Sequence, residues 1–324
     1  AEDRLRVGIV GAGISGLACA DRLARHGIAS ELFDKGSRPG GRLSTLQLGS
    51  RAWDFGAQFV EAPQGDFAEE VERWRSAGVI DLWPGGPDNA WVGIPSMASL
   101  VGHLAERHAV RFSARVDSIT RVSSCWILGG PDLAAGPFDA VVLAIPAEQA
   151  APLLSLHDLH QAREAAAVRS RPCWSVMVAF AAPLAGPDFL QGTGPLSWAA
   201  RNSSKPGRPD EECWVLHASP VWSERNLERD REEIAADLLA AFAALVAEPL
   251  PKLMFLKAHR WRFAECHGHA SQPLWNPRLM LGACGDWTLG PRIADAWQAG
   301  TDLADRIAES LGAERSVTET EAAK

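Results

Sequence analysis

The glycine-rich run Gly11-Ala12-Gly13-Ile14-Ser15-Gly16 limits the possible folds of this chain more than any other feature. The apolar run Arg6 to Val10 before it predicts a buried strand. The spacing of apolar residues from Ile14 to His26 predicts a helix that ends at Gly27. Ile28 to Asp34 then predicts a second strand. A strand, a glycine turn, a helix and a strand are typical of a dinucleotide-binding βαβ unit.

Dinucleotide binding gives the residues of this turn separate roles. Gly11 permits the tight turn, Gly13 lets a pyrophosphate approach the backbone, and Gly16 lets helix and strand pack closely. Asp34 ends the second strand about 20 residues on, where a carboxylate can accept hydrogen bonds from ribose hydroxyls. The helix N-terminus offers free N–H groups to the phosphates, and the predicted cradle is completed by Ala12, Ile14 and Ser15. The alternative is a glycine turn in an α/β domain without a ligand.

The segment Lys35-Gly36-Ser37-Arg38-Pro39-Gly40-Gly41-Arg42 directly follows Asp34. It resembles the glycine-doublet-plus-arginine loop of the amine-oxidase-like flavoproteins, where the arginine helps to hold the phosphates of FAD. The resemblance implies non-covalent FAD, with Lys35, Gly41 and Arg42 beside it. A cation suits this place, because N–H groups alone do not neutralise a diphosphate. The alternative is a solvated basic loop.

The other end of the chain carries a second flavoprotein-like segment. Gly285-Asp286 follows a strand predicted over Leu279 to Leu281, and Pro291-Arg292-Ile293 opens the last predicted helix. In the same superfamily such a carboxylate contacts the ribityl or ribose chain of FAD, and the helix N-terminus faces the flavin, whose reduced form is negative. The resemblance therefore implies FAD contacts by Gly285, Asp286, Arg292, Ile293, Ala296 and, from the strand predicted over Val110 to Val122, Val116.

A chain of 324 residues is long for one core, so we expect two lobes. Antiparallel strands are predicted at Trp174 to Phe180 and Cys213 to His217. We predict an α/β fold in which a Rossmann-type FAD-binding domain carries a smaller α+β, mixed-sheet substrate domain. The predicted FAD-binding domain comprises residues 1–60, 95–150 and 270–312, the substrate domain comprises 61–94 and 151–269, and 313–324 form a disordered tail.

Composition and charge exclude several classes of partner. The formal net charge of -8 argues against a general nucleic-acid or membrane-surface binder. The charged start, Ala1 to Arg4, has no apolar signal core, and the apolar stretch Ala235 to Leu250 is too amphipathic to span a bilayer, so we expect a cytoplasmic protein.

Six scattered cysteines predict reduced thiols. His267-Gly268-His269 predicts a loop, so no metal site is expected. The oligomeric state is left open.

Two longer segments narrow the resemblance. Arg201-Asn202-Ser203-Ser204-Lys205-Pro206-Gly207-Arg208 and Cys284-Gly285-Asp286-Trp287 resemble bacterial renalases, and the resemblance runs in order from about residue 6 to residue 311. It implies an FAD-dependent oxidase that takes hydride from 2- or 6-dihydro isomers of NAD(P)H. The products would be NAD(P)+ and, after reaction with dioxygen, hydrogen peroxide. The loop Phe59-Val60-Glu61-Ala62 departs from the family pattern, so no ligand contact is assigned to it.

Four residues are candidates for the substrate pocket. The resemblance suggests that Asn202 bonds the nicotinamide carboxamide; the alternative is a turn asparagine. Trp287 follows the presumed ribityl carboxylate and is expected to line the pocket, with core packing as the alternative. Arg260 alternates with His259 on a predicted strand, and we expect Arg260 to meet a ligand or an FAD phosphate. His217, on an apolar strand, is the fourth candidate. The alternative is a core histidine whose hydrogen bonds are satisfied within the protein.

Two other functions share this fold. Flavin-dependent amine oxidases usually build an aromatic cage rich in tyrosine, whereas this chain has no tyrosine and 13 tryptophans. Many also use a lysine bonded through water to the flavin, and only Lys252 and Lys257 lie in a plausible region. A non-catalytic flavin-binding protein is the second alternative.

Overall fold

A computed structural model describes residues 5–267 and 270–322 of the chain. The predictions for Ala1 to Arg4 and for Gly268-His269 therefore lie outside the described residues. The strands are β1 (Arg6–Val10), β2 (Ala29–Phe33), β3 (Thr45–Leu48), β4 (Arg51–Asp54), β5 (Ile80–Leu82), β6 (Trp91–Gly93), β7 (Ala109–Arg111), β8 (Ser118–Val122), β9 (Cys125–Gly130), β10 (Leu133–Phe138), β11 (Ala140–Leu143), β12 (Arg169–Phe180), β13 (Phe189–Gln191), β14 (Leu196–Arg201), β15 (Cys213–Ala218), β16 (Leu253–His267), β17 (Leu274–Asn276) and β18 (Leu281–Ala283). The helices are α1 (Ile14–Arg25), α2 (Asp66–Ser76), α3 (Ala98–Ala105), α4 (Ala147–Ser155), α5 (Leu159–Ala167), α6 (Pro220–Arg225), α7 (Arg231–Val246), α8 (Asp286–Leu289) and α9 (Ile293–Ala322).

The chain divides into two compact units. Unit 1 comprises Ala1–Gly41, Val101–Arg169 and Cys266–Lys324, and unit 2 comprises Arg42–Leu100 and Ser170–Glu265. These bounds differ most from the predicted domains at two places, because residues 42–60 belong to unit 2 and residues 151–169 to unit 1.

Buried side chains explain both differences. Trp53 of β4 is fully buried against Met177 and Val215 in the sheet of unit 2, so the hairpin β3–β4 belongs there. Leu154 and Ala165 of α4 and α5 lie in the apolar core of unit 1. Periodicity predicts that such residues are buried but not which core receives them.

Unit 1 is built on a sheet with the order β17-β18-β11-β1-β2-β7. Strand β1 lies between β11 and β2 and is parallel to both. Val7, Ile9 and Val142 are 0% exposed, as expected for strands covered on both faces. With α1 between β1 and β2, this sheet confirms the predicted Rossmann-type α/β fold.

Two strand predictions in unit 1 need correction. The strand predicted over Val110 to Val122 is two strands: β7 pairs in parallel with β2, and β8 pairs antiparallel with β9. Ser113 separates them, with a φ of 51° that a strand does not allow. The strand predicted over Leu279 to Leu281 begins only at Leu281, because Met280 has a φ of 54°.

Unit 2 is built on a sheet with the order β13-β14-β15-β12-β16. Helix α7 covers one face, where Leu238 and Phe242 pack against Trp174 and Trp214. The other face meets Trp53 through Met177 and Val215. Because side chains alternate along a strand, Ser175 and His217, two positions from Met177 and Val215, lie on this second face, which we call the candidate substrate face.

The last helix is longer than predicted. Helix α9 continues to Ala322, into the segment predicted as a disordered tail. Ala and Glu are frequent in that segment, and both favour helix. None of the described helices is long and apolar enough to cross a membrane. All six cysteines are free thiols.

Helices α1 and α9 of unit 1 touch through a glycine. A Cβ added at Gly300 would collide with the backbone carbonyl oxygen of Ser15 and lie 3.0 Å from the backbone nitrogen of Cys19. Arg22 and Asp305 join the same two helices, with 2.7 Å between Nε and Oδ1. Because Gly300 has no side chain, α9 can pack directly against α1, the helix that begins at the glycine turn.

We expect Gly300→Ala to lower the free energy of unfolding by about 1–3 kcal/mol, because the new methyl group meets backbone rather than a movable side chain. Gly102→Ala in α3 is the matched control. An added Cβ there has no neighbour within 4 Å, so helix propensity should raise stability by up to about 1 kcal/mol. Urea denaturation of both variants tests this pair; a stabilised Gly300→Ala protein would contradict the close packing.

Candidate cofactor and substrate sites

The glycine turn has the geometry that a dinucleotide requires. Gly11 has a φ of 102°, and a Cβ there would collide with the carbonyl oxygen of Ala144. A Cβ at Gly16 would collide with the carbonyl oxygen of Gly11. A Cβ at Gly13, in contrast, would meet nothing within 4 Å. Two glycines therefore serve packing, while the third leaves the backbone open to a ligand.

The N-terminus of α1 is prepared for an anion. Gly13 is the N-cap residue and has no side chain to accept from the first turn, which contains no acidic residue. Ile14 and Ser15 are buried in that turn. The first N–H groups of a helix need partners from outside it, and a phosphate provides them. A Cβ at Gly41 would come within 3.8 Å of the Gly13 Cα, so Gly41 also lies at this turn.

Asp34 is tied to the glycine turn by its carboxylate. Its Oδ2 accepts from the backbone N–H of Ala12 at 2.8 Å, and its Oδ1 accepts from that of Gly36 at 2.7 Å. Lys35 is exposed beside it. The backbone oxygen of Asp34 accepts from the N–H of Ala114, which places the half-buried Val116 two residues away along the chain. The Asp34 carboxylate and the glycine turn are thus one hydrogen-bonded structure, and this structure fits a dinucleotide such as FAD.

The late segment places Asp286 and α9 in unit 1. Asp286 is 4% exposed and begins α8, where its Oδ1 accepts from the backbone N–H of Trp287. Ile293 begins α9, and Ala296 is buried one turn later. Gly285 has a φ of 148°, which favours glycine at the turn before Asp286. The contacts predicted between these residues and FAD remain predictions.

Asp295 is a residue of this segment that the sequence analysis missed. Its carboxylate accepts from the backbone N–H of Arg292 at 3.1 Å and pairs with the guanidinium of Arg292 at 3.0 Å. An acidic residue three positions after the N-cap residue of a helix is a capping signal that would have identified it.

Trp287 lies in the apolar core of unit 1. It is 1% exposed, packs with Leu143 and Ala283, and donates from Nε1 to the carbonyl oxygen of Ile145 at 3.0 Å. This geometry is that of the core-packing alternative and corrects the expectation of a pocket wall.

Arg42 lies in unit 2. Its Nη1 donates to the carbonyl oxygen of Phe263 at 3.5 Å, and its own carbonyl oxygen accepts from the N–H of Ala57. The short 3₁₀ turn Gly41–Leu43 contains it. Its assignment to the FAD diphosphate stays a prediction from the resemblance.

A buried carboxylate organises unit 2. Asp54 is 0% exposed. Its Oδ1 accepts from Thr45 Oγ1 at 2.7 Å and from the backbone N–H of Met97 at 2.9 Å. Its Oδ2 pairs with Lys205 Nζ at 3.3 Å and with Arg208 Nη2 at 2.6 Å. One aspartate therefore joins β3, the start of α3 and the segment 201–208.

The charges of this cluster shift two ionisation equilibria. Burial would raise the pKa of Asp54, but Lys205 and Arg208 lower it to about 2. Burial lowers the pKa of Lys205 to about 8, against the attraction of Asp54. The cluster thus holds two cations and one anion at neutral pH. Lys205 and Arg208 belong to the segment 201–208, but the sequence does not reveal the cluster, because nothing along the chain connects position 54 with positions 205 and 208.

Asn202 serves the backbone of β4. Its Nδ2 donates to the carbonyl oxygen of Ala52 at 2.9 Å, and its Oδ1 accepts from the N–H of Asp54 at 3.2 Å. The residue is 1% exposed. Both ends of the amide are therefore engaged within unit 2, which is the geometry of the structural alternative and not of a carboxamide-binding side chain.

Arg260 and His259 point to opposite faces of β16, as alternation requires. Arg260 lies on the α7 face, where its Nη1 pairs with Glu228 at 3.1 Å and its guanidinium lies over Trp174. His259 lies on the second face, against Phe55. The alternation was predicted, but the residue on the candidate substrate face is His259 instead of Arg260.

Three rings form what we call the Trp261 cluster, which contains Phe55, His259 and Trp261. Phe55 stacks on Trp261 with ring centroids 5.4 Å apart, and the His259 ring meets Trp261 edge-on at 4.5 Å. Trp261 Nε1 donates to the carbonyl oxygen of Phe55 at 2.9 Å. Burial lowers the pKa of His259 to about 4, and the positive charges of Arg231 and Lys257 act in the same direction. This histidine is neutral at pH 7.

A polar row crosses the same face beside Phe55. Ser175, His217 and Trp198 lie opposite one another on β12, β15 and β14. Ser175 Oγ, His217 Nε2 and Trp198 Nε1 are buried and have no hydrogen-bond partner in the described structure. Burial lowers the pKa of His217 to about 4, although a hydrogen bond between the imidazole and the backbone of Phe55 acts to raise it. His217 is therefore a neutral histidine on the candidate substrate face.

A second aromatic group, the Trp198 cluster, contains Phe59, Trp83, Phe189 and Trp198. Phe189 stacks on Trp198 with centroids 5.3 Å apart, and Phe59 is tilted against it at 5.9 Å. Trp83 is buried below, with Lys205 Nζ 5.2 Å from its ring centroid. No ligand contact was assigned to Phe59 from the sequence, yet it lies beside a half-buried tryptophan.

Among the residues that the structure describes, no group of three or more His, Cys, Asp or Glu side chains could hold a metal ion.

Comparison with known proteins identifies the class of protein to which the chain belongs. Residues 9–73 match the model of an NAD(P)-binding Rossmann-like domain. Residues 84–308 match the model of the flavin containing amine oxidoreductases. The second match covers most of the chain, so this protein belongs to the flavin containing amine oxidoreductase family and is an oxidoreductase. FAD is the cofactor that the family and the cradle of unit 1 both indicate.

Individual relatives resemble the chain in part or in fold. A zeta-carotene-forming phytoene desaturase from Myxococcus xanthus is 44% identical over 59 residues, which are 18% of this chain and only 11% of that relative. Cyclohexylamine oxidase from Brevibacterium oxydans IH-35A superposes with a TM-score of 0.72 at 13% identity, over 95% of this chain and 100% of that one. A CLA-producing fatty acid isomerase from P. acnes gives a TM-score of 0.72 at 12% identity, over 94% and 99%. The shared fold thus carries different reactions.

We expect Asp34→Ala to weaken FAD binding about 10- to 100-fold, since one charge-assisted hydrogen bond is worth about 1.5–3 kcal/mol. Glu31→Ala on the same strand is the control, because Glu31 pairs with Arg6 and Arg111 instead. Titration of each apoprotein with FAD, followed by flavin fluorescence, measures the affinity. Equal losses in both variants would remove Asp34 from the cofactor site.

We expect Asp54→Asn to lower the free energy of unfolding by about 3–5 kcal/mol at pH 7, because it leaves two buried cations without their anion. Lys205→Met leaves a balanced Asp54–Arg208 pair and should cost less. The pKa of Asp54 lies below its usual 3.8, so its contribution is present above about pH 4 and is lost as the pH falls towards 2.

Urea denaturation between pH 3 and pH 7 tests both statements. The difference between wild type and Asp54→Asn should shrink towards acid pH, whereas Asp117→Asn, at an exposed pair with Arg115, should cost at most about 1 kcal/mol. A larger loss in Lys205→Met than in Asp54→Asn would contradict this charge assignment.

Proposed function

We propose that this enzyme is a renalase-like, FAD-dependent oxidase of isomeric dihydro-NAD(P). It takes hydride from 2- or 6-dihydro forms, gives NAD(P)+, and uses dioxygen, which becomes hydrogen peroxide. FAD, when bound, supplies the two-electron acceptor. On this proposal the turn at Gly13 and the Asp34 carboxylate hold the cofactor on unit 1, with the further contacts predicted at Arg42, Asp286 and α9.

The observation that carries the proposal is the neutrality of the Trp261 cluster and of the polar row. His217 and His259 both have a pKa of about 4. Lys205 is held by Asp54 and by Gln58 Oε1 at 3.3 Å. Among the described side chains of the Trp261 cluster and the polar row, none changes charge near pH 7. The face therefore suits a substrate that needs no proton transfer.

A dihydropyridine is such a substrate. Its ring loses hydride and becomes aromatic in one step, so the protein has to position a flat ring and exclude water rather than provide a base. Phe55, His259 and Trp261 provide aromatic surface for that ring. The electron pair leaves with the hydride, and the product ring carries one positive charge, which aromatic faces tolerate.

Amine oxidation is the second candidate, favoured by the family and by the fold shared with cyclohexylamine oxidase. An amine reacts in its neutral form, and its usual pKa is near 10, so at pH 7 it must first lose a proton. Neither histidine is basic enough to take that proton efficiently. The pH dependence of flavin reduction therefore separates the two candidates.

We expect anaerobic mixing with a 2- or 6-dihydro isomer of NAD(P)H to bleach the flavin at a limiting rate that changes less than about twofold between pH 5.5 and 7.5. With an amine, the apparent rate should rise up to about tenfold per pH unit, following the neutral fraction. Stopped-flow absorbance with both isomers, ordinary NADH and a panel of amines makes the measurement. Fast bleaching by an amine and none by either isomer would reject the proposal in favour of the second candidate.

A further inference from the structure

The sheet of unit 2 carries two clusters of aromatic residues on one face. The Trp261 cluster lies at β16, and the Trp198 cluster lies at β13 and β14. In the sheet order, β15 and β12 stand between β14 and β16. Since neighbouring strands are about 4.8 Å apart, the two places are separated by about 14 Å. The segment from Phe55 to Phe59 reaches from one cluster to the other.

The Trp198 cluster presents aromatic surface that the described structure does not cover completely. Phe59, Phe189 and Trp198 are half-buried, whereas Trp83 beneath them is buried. Phe189 and Trp198 are within 23° of parallel. Stacked, partly exposed rings of this kind are what proteins use to bind the flat face of a nucleobase without a fixed hydrogen-bond pattern.

The charged residues next to the Trp198 cluster favour some flat ligands over others. Lys205 already places an ammonium group 5.2 Å from the Trp83 ring, and Arg208 adds a second cation to the same buried group. Among the described residues, Asp54 is the one anion that pairs with both cations, so the three groups together carry an excess of one positive charge. A substrate ammonium would be repelled here, whereas a neutral purine joined to phosphates would not.

We infer that the Trp198 cluster binds the adenine ring of the dinucleotide substrate, while the dihydropyridine ring lies at the Trp261 cluster. This inference rests on the proposed function and adds to it a residue that determines specificity. Trp198 is the central ring, because both Phe189 and Phe59 contact it. The dinucleotide then binds at both clusters, whereas a mononucleotide, which lacks the adenylate, binds only at the Trp261 cluster.

The test compares a dihydro isomer of NADH with the same isomer of reduced nicotinamide mononucleotide. Anaerobic flavin reduction at increasing substrate concentration gives an apparent Kd and a limiting rate for each. In Trp198→Leu the Kd of the dinucleotide should rise about 5- to 150-fold, the usual range for losing one base–aromatic stack. The Kd of the mononucleotide and both limiting rates should stay within about twofold of wild type.

Trp222→Leu is the matched control. Trp222 is also half-buried in unit 2, but it packs against the α7 core. Its replacement should leave the ratio of the two Kd values unchanged. FAD content and melting temperature are measured for each variant, and Phe189→Leu replaces Trp198→Leu if the latter does not fold.

The outcomes are distinguishable. Equal weakening of dinucleotide and mononucleotide in Trp198→Leu, or no weakening of either, overturns the adenine assignment and leaves the proposed function intact. A wild-type flavin that neither substrate reduces overturns the proposed function, and the adenine assignment with it.

Discussion

The carboxylate of Asp54 is the interaction on which unit 2 depends. It is fully buried and accepts from a hydroxyl, a backbone N–H and two cations. Such a group is tolerated inside a protein only when every partner is in place. Its partners fix the loop from residue 201 to residue 208 against β4, and Asn202 adds two bonds to the same strand. This loop in turn holds Lys205 under Trp83.

Unit 1 depends instead on the absence of side chains. Gly11, Gly16 and Gly300 each stand where a Cβ would meet backbone, so a strand, a helix and a second helix come into direct contact around one turn. The same packing leaves Gly13 open and the first turn of α1 uncapped by any side chain. Close packing of backbone and an exposed set of N–H groups are therefore two results of one local geometry, which is the geometry that suits a phosphate group.

The family and the fold together define a flavin-dependent oxidoreductase but not its reaction. Relatives of the same fold include an amine oxidase and a fatty acid isomerase. The difference must arise from the side chains that meet the substrate. The candidate substrate face offers aromatic rings, two histidines that stay neutral at pH 7, and an ion cluster whose charges are mutually engaged. A substrate that gives up hydride without a base is the best match to that chemistry.

The sequence by itself determined the features that local patterns encode. The βαβ start, the packing roles of Gly11 and Gly16 and the strand-to-helix order follow from spacing within about 30 residues, and the structure has them. Alternation on β16 was also predictable, but not which of its two faces meets the helix. Only the tertiary structure decided that His259 and not Arg260 lies beside Phe55, and that Trp287 and Asn202 are engaged by backbone oxygens. The Asp54 cluster likewise joins positions about 150 residues apart, because burial and ion pairing depend on which surfaces meet in space and leave no periodic signal along the chain.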